Sequence, residues 1–249
     1  MHSPPHSIRN KKLPYLIIGG GALAATALVA GFLTIPLVSG ASDVGGSSTQ
    51  EVAVITERPT LGAPRDALSQ EELSYALHLG TSDASIPDDV TSIDGSNSPQ
   101  VLSIDVSTRD VDSTERIVDV VLYDYTSNQT FLQAVNLSAG TVESSSRAGV
   151  QPPPSADEID FAFGLFLEDD AASAPVKSEF ATITGEDLTS IDQLGVSGGT
   201  FVPDASTIGA EACALDRCVE MQFRVPGGGY LDTTAFVIDL STHSVIGIQ

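Results

Sequence analysis

The chain has 249 residues, and 33 acidic against 11 basic side chains give it a formal net charge of −22 at neutral pH. Proteins that bind nucleic acid or anionic lipid headgroups use basic patches, so this charge balance excludes a nucleic-acid partner. An acidic surface exposed to solvent is the interpretation that the composition favours.

The N-terminal part of the sequence has the pattern of a membrane anchor. Three basic residues and no acid precede a run that is uncharged over 15–38. A bilayer needs about 20 apolar residues, whereas the core of a cleaved signal peptide has about 7–15. The pattern therefore predicts a cytoplasmic tail, 1–14, and a transmembrane helix, 15–38, in a single-pass protein of the cell membrane. Cleavage at the small residues 39–41 is the alternative, and it would give a secreted protein.

Two cysteines, Cys213 and Cys218, are the only ones in the chain. Since the membrane topology places them in an oxidising compartment, we predict that they form a disulfide. The loop between them is short, so the bond would constrain the chain just before one strand rather than link distant elements. No histidine or second cysteine pair lies nearby, so we expect neither a metal nor a cofactor there.

The sequence twice contains the signature of a helix N-terminus. Ser69 is followed three residues later by Glu72, and Ser155 is followed by Glu158. A serine with a glutamate at this spacing, ahead of apolar residues, is a capping box. We therefore predict one helix after Ser69, ending near Gly80, and a second helix over about 156–169.

A strand–turn–strand pattern at 135–142 also recurs, at 238–245. Helix and hairpin signals thus occur twice in the same order, which indicates a tandem repeat. The predicted organisation is a flexible linker, a first module, a Pro-rich joint and a second module: 39–66, 67–148, 149–154 and 155–249.

Short apolar or alternating runs predict the strands of each module. In the first module they are 101–106, 117–125, 130–137 and 141–145. In the second module they are 176–184, a loop and strand at 195–202, 219–225, 230–240 and 245–248. Strands spaced so closely pair as antiparallel hairpins, and one helix lies across the sheet. The predicted fold class is α+β, with one helix on a roughly four-stranded antiparallel sheet in each module.

In this order the signals resemble the second and third N-terminal domains of copper amine oxidases. The likeness is carried by the two helix starts and by the segments 116–124, 135–142, 149–152 and 236–245. The resemblance implies a cystatin-like fold in both modules and no catalytic role for either of them.

The catalytic part of that family is what the sequence lacks. Its β-sandwich carries a cofactor tyrosine after an asparagine and three copper-binding histidines, whereas the sequence has no Asn-Tyr pair. Only His78 and His243 lie beyond the predicted membrane helix. Two histidines cannot supply a three-histidine copper site, so we expect a scaffold without the family's cofactor.

Two other motifs suggest chemistry. Residues 195–199 fit G-x-S-x-G around Ser197, and Asp232 or Asp239 followed by His243 gives the order of a serine hydrolase. A hydrolase elbow needs a buried strand before the serine and a helix after it, and the sequence indicates neither. A glycine-rich loop is the interpretation that we favour.

The second motif is the spacing of Asp110, Asp112 and Thr114, which matches the opening of a calcium loop. The glycine and the closing glutamate of such a loop are missing, so a solvated turn is favoured.

The sequence therefore predicts a membrane-anchored, extracytoplasmic, non-enzymatic protein that binds an unknown protein or small molecule or supports a complex. The alternative is an accessory part of an amine oxidase whose catalytic domain is on another chain. Hydrolysis at Ser197 is a third hypothesis.

Overall fold

The computed structural model describes residues 55–109 and 114–248, together with the backbone of three short strands before them. These strands form one antiparallel sheet in the order β1-β2-β3: β1 Thr26–Val29, β2 Phe32–Thr34 and β3 Glu51–Ala53.

The predicted transmembrane helix, 15–38, is not helical where it is described. Its described residues belong to β1 and β2, and the other residues of 15–38 lie outside the described part of the chain. Threonine, valine and phenylalanine in these two segments favour extended backbone, which the length of the uncharged run did not reveal. In the described residues, no helix combines the length and the apolar character that crossing a bilayer requires.

The first helix, α1 Gln70–Thr81, begins where the capping box predicted. The Ser69 hydroxyl accepts a hydrogen bond from the Glu72 N–H at 3.2 Å, and the Glu72 carboxylate accepts one from the Ser69 N–H at 2.8 Å. Two N–H groups that the helix leaves unpaired are thereby satisfied.

The four strands after α1 form a meander in the order β4-β5-β6-β7. They are β4 Gln100–Val106, β5 Ile117–Asp124, β6 Gln129–Asn136 and β7 Thr141–Ala148. Helix α1 covers one face of this sheet, and the buried side chains between them are Tyr75, Ala76, Leu77, Val118, Val120, Leu122, Phe131, Val135 and Leu137. We call α1 and this sheet the first unit.

The second unit begins with two helices, α2 Ala156–Glu168 and α3 Asp170–Thr184. A capping box of Ser155 and Glu158 starts α2, as predicted. The strand predicted at 176–184 is wrong, because these residues belong to α3. The Asp169 side chain accepts the Ala172 N–H at 2.9 Å, which starts α3, and its buried residues have helical spacing: Ser173, Val176 and Phe180.

The second sheet has the order β11-β10-β9-β8. Its strands are β8 Gly195–Phe201, β9 Cys218–Arg224, β10 Phe236–Asp239 and β11 Ser244–Gly247. The strand predicted at 230–240 is shorter than expected and begins at Phe236. Thr233 Oγ1 donates to the Met221 carbonyl at 2.6 Å, so a side chain replaces part of the backbone ladder before β10.

Helices α2 and α3 pack on one face of the second sheet, in a core that also contains Ile93 and Tyr125 from the first half of the chain. The opposite face carries a smaller cluster of Ala210, Cys213, Cys218 and Val237. The predicted disulfide between Cys213 and Cys218 is present in this cluster, with Cα atoms 5.4 Å apart. The second unit therefore has apolar side chains on both faces of its sheet.

Helix α2 packs close to β8 at Gly198, because glycine has no side chain there. A Cβ atom at this position would lie 2.0 Å from the Ile159 Cδ1 atom and 3.3 Å from Cγ1. Gly198, at the second variable position of the G-x-S-x-G motif, thus serves helix–sheet packing. Of the loop and strand predicted at 195–202, almost the whole segment is the strand β8.

Gly198→Ala is expected to lower the free energy of unfolding by about 1–3 kcal/mol, because Ile159 must move. Ile159→Val removes the Cδ1 atom, so the double variant should lose less stability than the sum of the single variants. Gly229→Ala is the control, since nothing lies within 4 Å of its added Cβ. Denaturant unfolding of the wild type and the four variants measures these free energies, and additive effects at positions 198 and 159 would contradict this packing account.

Candidate functional site

The most elaborate polar arrangement among the described residues lies where the two units meet. Glu158 is in the first turn of α2, and Arg217 directly precedes β9. Arg217 Nε donates to Glu158 Oε1 at 2.6 Å and Nη2 donates to Oε2 at 2.8 Å. Both side chains are fully buried, so this is a bidentate ion pair shielded from water.

The first unit contributes two aromatic side chains to the same place. Tyr125 Oη donates to Glu158 Oε1 at 2.6 Å, and the Arg217 Cζ atom lies 4.8 Å from the centre of the Tyr123 ring. Tyr123, Tyr125, Glu158 and Arg217 therefore form one cluster, which we call the joint network. It combines an ion pair, a charged hydrogen bond and a cation–π contact.

The Glu158 carboxylate has no free acceptor position. Oε1 accepts hydrogen bonds from Arg217 Nε and Tyr125 Oη, and Oε2 accepts them from Arg217 Nη2 and the Ser155 N–H, the last at 2.8 Å. A carboxylate has about four lone-pair sites, and here all of them are used. The arrangement can hold the units together, but it leaves no lone pair of Glu158 for a metal or a substrate.

The ionisation of the joint network agrees with this structural role. Burial raises the pKa of Tyr123 to about 12, and burial together with the Glu158 charge raises the pKa of Tyr125 still further. Burial alone would lower the pKa of Arg217, but its hydrogen bonds to Glu158 and the Glu158 charge raise it above the ordinary value. Both phenols thus stay protonated at neutral pH and act as hydrogen-bond donors or apolar surfaces.

The first unit contains an equivalent bidentate ion pair between an arginine and a capping-box glutamate. Arg116 directly precedes β5, its Nε donates to Glu72 Oε1 at 2.9 Å, and its Nη2 donates to Oε2 at 3.0 Å. The backbone N–H of this arginine donates to Ser138 Oγ at 3.1 Å, and that of Arg217 donates to Ser241 Oγ at 2.9 Å. The tandem repeat therefore includes a buried arginine that ties the capping-box glutamate to the sheet.

Each arginine also binds the chain that leads into its helix. Arg116 Nη1 donates to the carbonyls of Ala63 and Asp66 at 2.7 and 2.6 Å, and Nη2 donates to Ala67 at 3.1 Å. Arg217 Nη1 donates to the Pro152 carbonyl at 3.1 Å. The linker before α1 and the Pro-rich joint before α2 are thus held in the same manner.

Burial would raise the pKa of Glu72, but the hydrogen bonds from Arg116 and from the Ser69 and Gly62 N–H groups outweigh it. The pKa of Glu72 is therefore below its ordinary value. Sequence reasoning missed both ion pairs, because it treated the glutamates as capping residues alone. The available signal was an arginine directly before a core strand in each repeat, in a chain with only 11 basic residues.

The structure does not bring together the residues of the hydrolase hypothesis. The register aligns Phe201, Cys218 and Asp239 across β8, β9 and β10. Ser197 is therefore about 13 Å along and about 10 Å across the sheet from Asp239, by ordinary strand spacings. Ser197 also lies within a strand rather than at a strand-to-helix turn, so the elbow geometry is absent from this segment.

The other residues of that hypothesis have separate partners. The His243 ring packs against the Phe161 ring with centroids 4.7 Å apart, in the turn between β10 and β11. Asp232 Oδ1 accepts the Thr234 N–H at 3.1 Å, and Asp239 Oδ1 accepts the Ser241 N–H at 2.8 Å.

Metal binding is the other chemistry that the sequence raised. Asp110 and Asp112 of the calcium-like spacing lie outside the described residues. Among 55–109 and 114–248, no group of three or more His, Cys, Asp or Glu side chains is arranged to hold a metal ion.

A small cleft of about 190 Å³ lies on the face of the first sheet opposite α1. Arg65, Arg109, Glu115 and Glu143 contribute its charged lining. Arg109 Nη2 lies 3.2 Å from Asp119 Oδ1, and burial raises the pKa of Asp119 although Arg109 opposes the shift. With two arginines and two glutamates in its lining, the cleft favours neither sign of ligand charge.

Comparison with known proteins identifies no relative: no protein-family model matches the chain, and no curated protein is significantly similar to it. The resemblance to the N-terminal domains of copper amine oxidases therefore stays a prediction that rests on the sequence motifs.

Tyr125→Phe tests the joint network without removing its ion pair. The variant loses one hydrogen bond to a charged group, so we expect the free energy of unfolding to fall by about 1.5–3 kcal/mol. Tyr230→Phe is the matched control, because the Tyr230 side chain is 64% exposed, and it should change stability by less than about 0.5 kcal/mol. Equal effects of the two substitutions in denaturant unfolding would contradict the role given to Tyr125.

Proposed function

We propose that the protein is a non-enzymatic, extracytoplasmic scaffold that presents two α+β units to a partner in one fixed orientation. The joint network carries this proposal. A buried, bidentate ion pair with a hydrogen bond from the other unit has a narrow range of acceptable geometry, because displacement leaves a charge unpaired away from water.

The Pro-rich joint, 149–154, supports the same conclusion. Thr130 Oγ1 of the first unit donates to the Val150 carbonyl at 2.6 Å, and Thr200 Oγ1 of the second unit donates to the Pro152 carbonyl at 2.9 Å. Gln151 Nε2, between them, donates to the Asp216 carbonyl at 2.6 Å. The connection between the units is thus fastened from both sides and is unlike a flexible linker.

The disulfide supports an extracytoplasmic location. Disulfides persist mainly in oxidising compartments, and Cys213 and Cys218 are bonded at the base of β9. Both cysteines of the chain are thereby used for structure. A large negative charge is consistent with a solvated surface outside the cell.

The alternative function, an accessory part of an amine oxidase whose catalytic domain is on another chain, rests on the motif resemblance alone. It predicts that a separate catalytic chain is encoded next to this one and co-purifies with it. Purification of the chain without such a companion would favour the independent scaffold.

The topology is tested by fusing a reporter that is active only outside the cytoplasm to the position after Gln249. We expect an active reporter and, in intact mass spectrometry without reductant, a mass two hydrogens below that of the reduced chain. The control is a matching fusion after position 14, which we expect to be inactive because the N-terminal tail is predicted to be cytoplasmic. An inactive reporter after Gln249 together with free thiols at Cys213 and Cys218 would contradict the proposed location.

A further inference from the structure

The edge of the first sheet formed by β7 has unpaired backbone groups. The Gly149 N–H donates to the Asn128 carbonyl, so the odd-numbered residues at this end of the hairpin direct their backbone groups toward β6. In an antiparallel strand this direction alternates from residue to residue. The N–H and C=O groups of Val142, Ser144, Ser146 and Ala148 therefore point away from the sheet, and no described residue hydrogen-bonds to them.

Strand β7 also lacks the backbone features that usually protect an edge. Proteins block sheet edges with proline, bulges, short strands or charges. Among the other edges of the two four-stranded sheets, β4 has a register shift, β11 has four residues, and β8 has three glycines in seven residues. In contrast, β7 is eight residues long, contains neither glycine nor proline, and pairs with β6 in unbroken register.

The charges of β7 are balanced, although the chain as a whole carries −22. Glu143 is its only acid and Arg147 its only base. Both residues lie on the face opposite α1, because Val142, on the other face, packs against the α1 core. Both side chains are exposed, so they are available to a strand laid along this edge.

We propose that β7 pairs with β7 of a second copy of this chain, antiparallel, with the two Ser145 residues on the two-fold axis. In this register Glu143 is opposite Arg147 of the second copy, and Ser144 is opposite Ser146. About eight backbone hydrogen bonds would form, and the two first-unit sheets would become one continuous sheet.

Symmetry and charge together select this register. A two-fold axis perpendicular to the sheet keeps each face on its own side, so only residues of the same face can be opposite each other. Placing Glu143 or Arg147 on the axis would put like charges directly opposite each other, which is destabilising. Only the axis at Ser145 places the acid of each copy opposite the base of the other.

A charge exchange tests the proposal on the full-length chain in detergent, with its mass followed by sedimentation at several concentrations. We expect the wild type to be a dimer. Glu143→Arg and Arg147→Glu should each weaken the dimer by about tenfold, because each change creates two like-charged pairs. The double variant Glu143→Arg/Arg147→Glu should regain the wild-type dissociation constant to within about threefold.

A cysteine at the two-fold axis tests the register itself. Facing residues of a non-hydrogen-bonded pair have Cβ atoms about 4.5–5.5 Å apart, so Ser145→Cys should form a covalent dimer on mild oxidation. Ser178→Cys, at an exposed position of α3, is the matched control and should remain uncrosslinked. A monomeric wild type would overturn the proposal. So would a dimer that the single charge changes leave intact or that crosslinks equally at positions 145 and 178.

Discussion

Glu158 is the point at which three parts of the chain meet. Its carboxylate caps the first turn of α2, binds the guanidinium of Arg217 ahead of β9, and accepts the hydroxyl of Tyr125 from the first unit. Loss of any one of these contacts would leave a buried polar group without its partner, which costs more than the contact itself contributes. Helix start, sheet and neighbouring unit are therefore positioned by one side chain.

The first unit contains an equivalent pair, so the two units share a buried side-chain interaction as well as the order of their elements. Glu72 caps α1 and binds Arg116, just as Glu158 caps α2 and binds Arg217. In the first unit the arginine holds the linker before α1, whereas in the second unit the cluster gains Tyr125 and becomes the contact between units. The glutamate–arginine pair thus holds the chain segment before the helix in each unit. In the second unit it also sets the orientation of the two units.

Local signals made much of this fold predictable from the sequence. The capping boxes at Ser69 and Ser155 and the hairpins of the first sheet depend on residues close together in the chain, and they were identified correctly. The errors have a different origin. Helix α3 was missed because its three buried residues give a weak helical pattern, and because Pro175 lies inside this helix, where proline is unusual. Side chains that take over backbone hydrogen bonds shortened β10, and no local pattern reports such a substitution.

The pairing of residues in the joint network could not be derived from local patterns, although an arginine directly before a core strand marks one member of each ion pair. Its ion pair joins residues 59 positions apart, and the equivalent pair in the first unit joins residues 44 apart. A capping glutamate looks the same in sequence whether or not an arginine binds it from a distant strand. The disulfide was accessible, because the chain has only two cysteines and they lie close together.

Distances between spin labels at Glu71→Cys on α1 and Ser178→Cys on α3 test the fixed orientation most directly. Dilution with unlabelled chain removes contributions between copies. The account predicts one narrow distance distribution in the otherwise unchanged protein, and a broader one when Tyr125→Phe is added. A broad distribution with Tyr125 in place would contradict the claim that the joint network holds the two units in one arrangement.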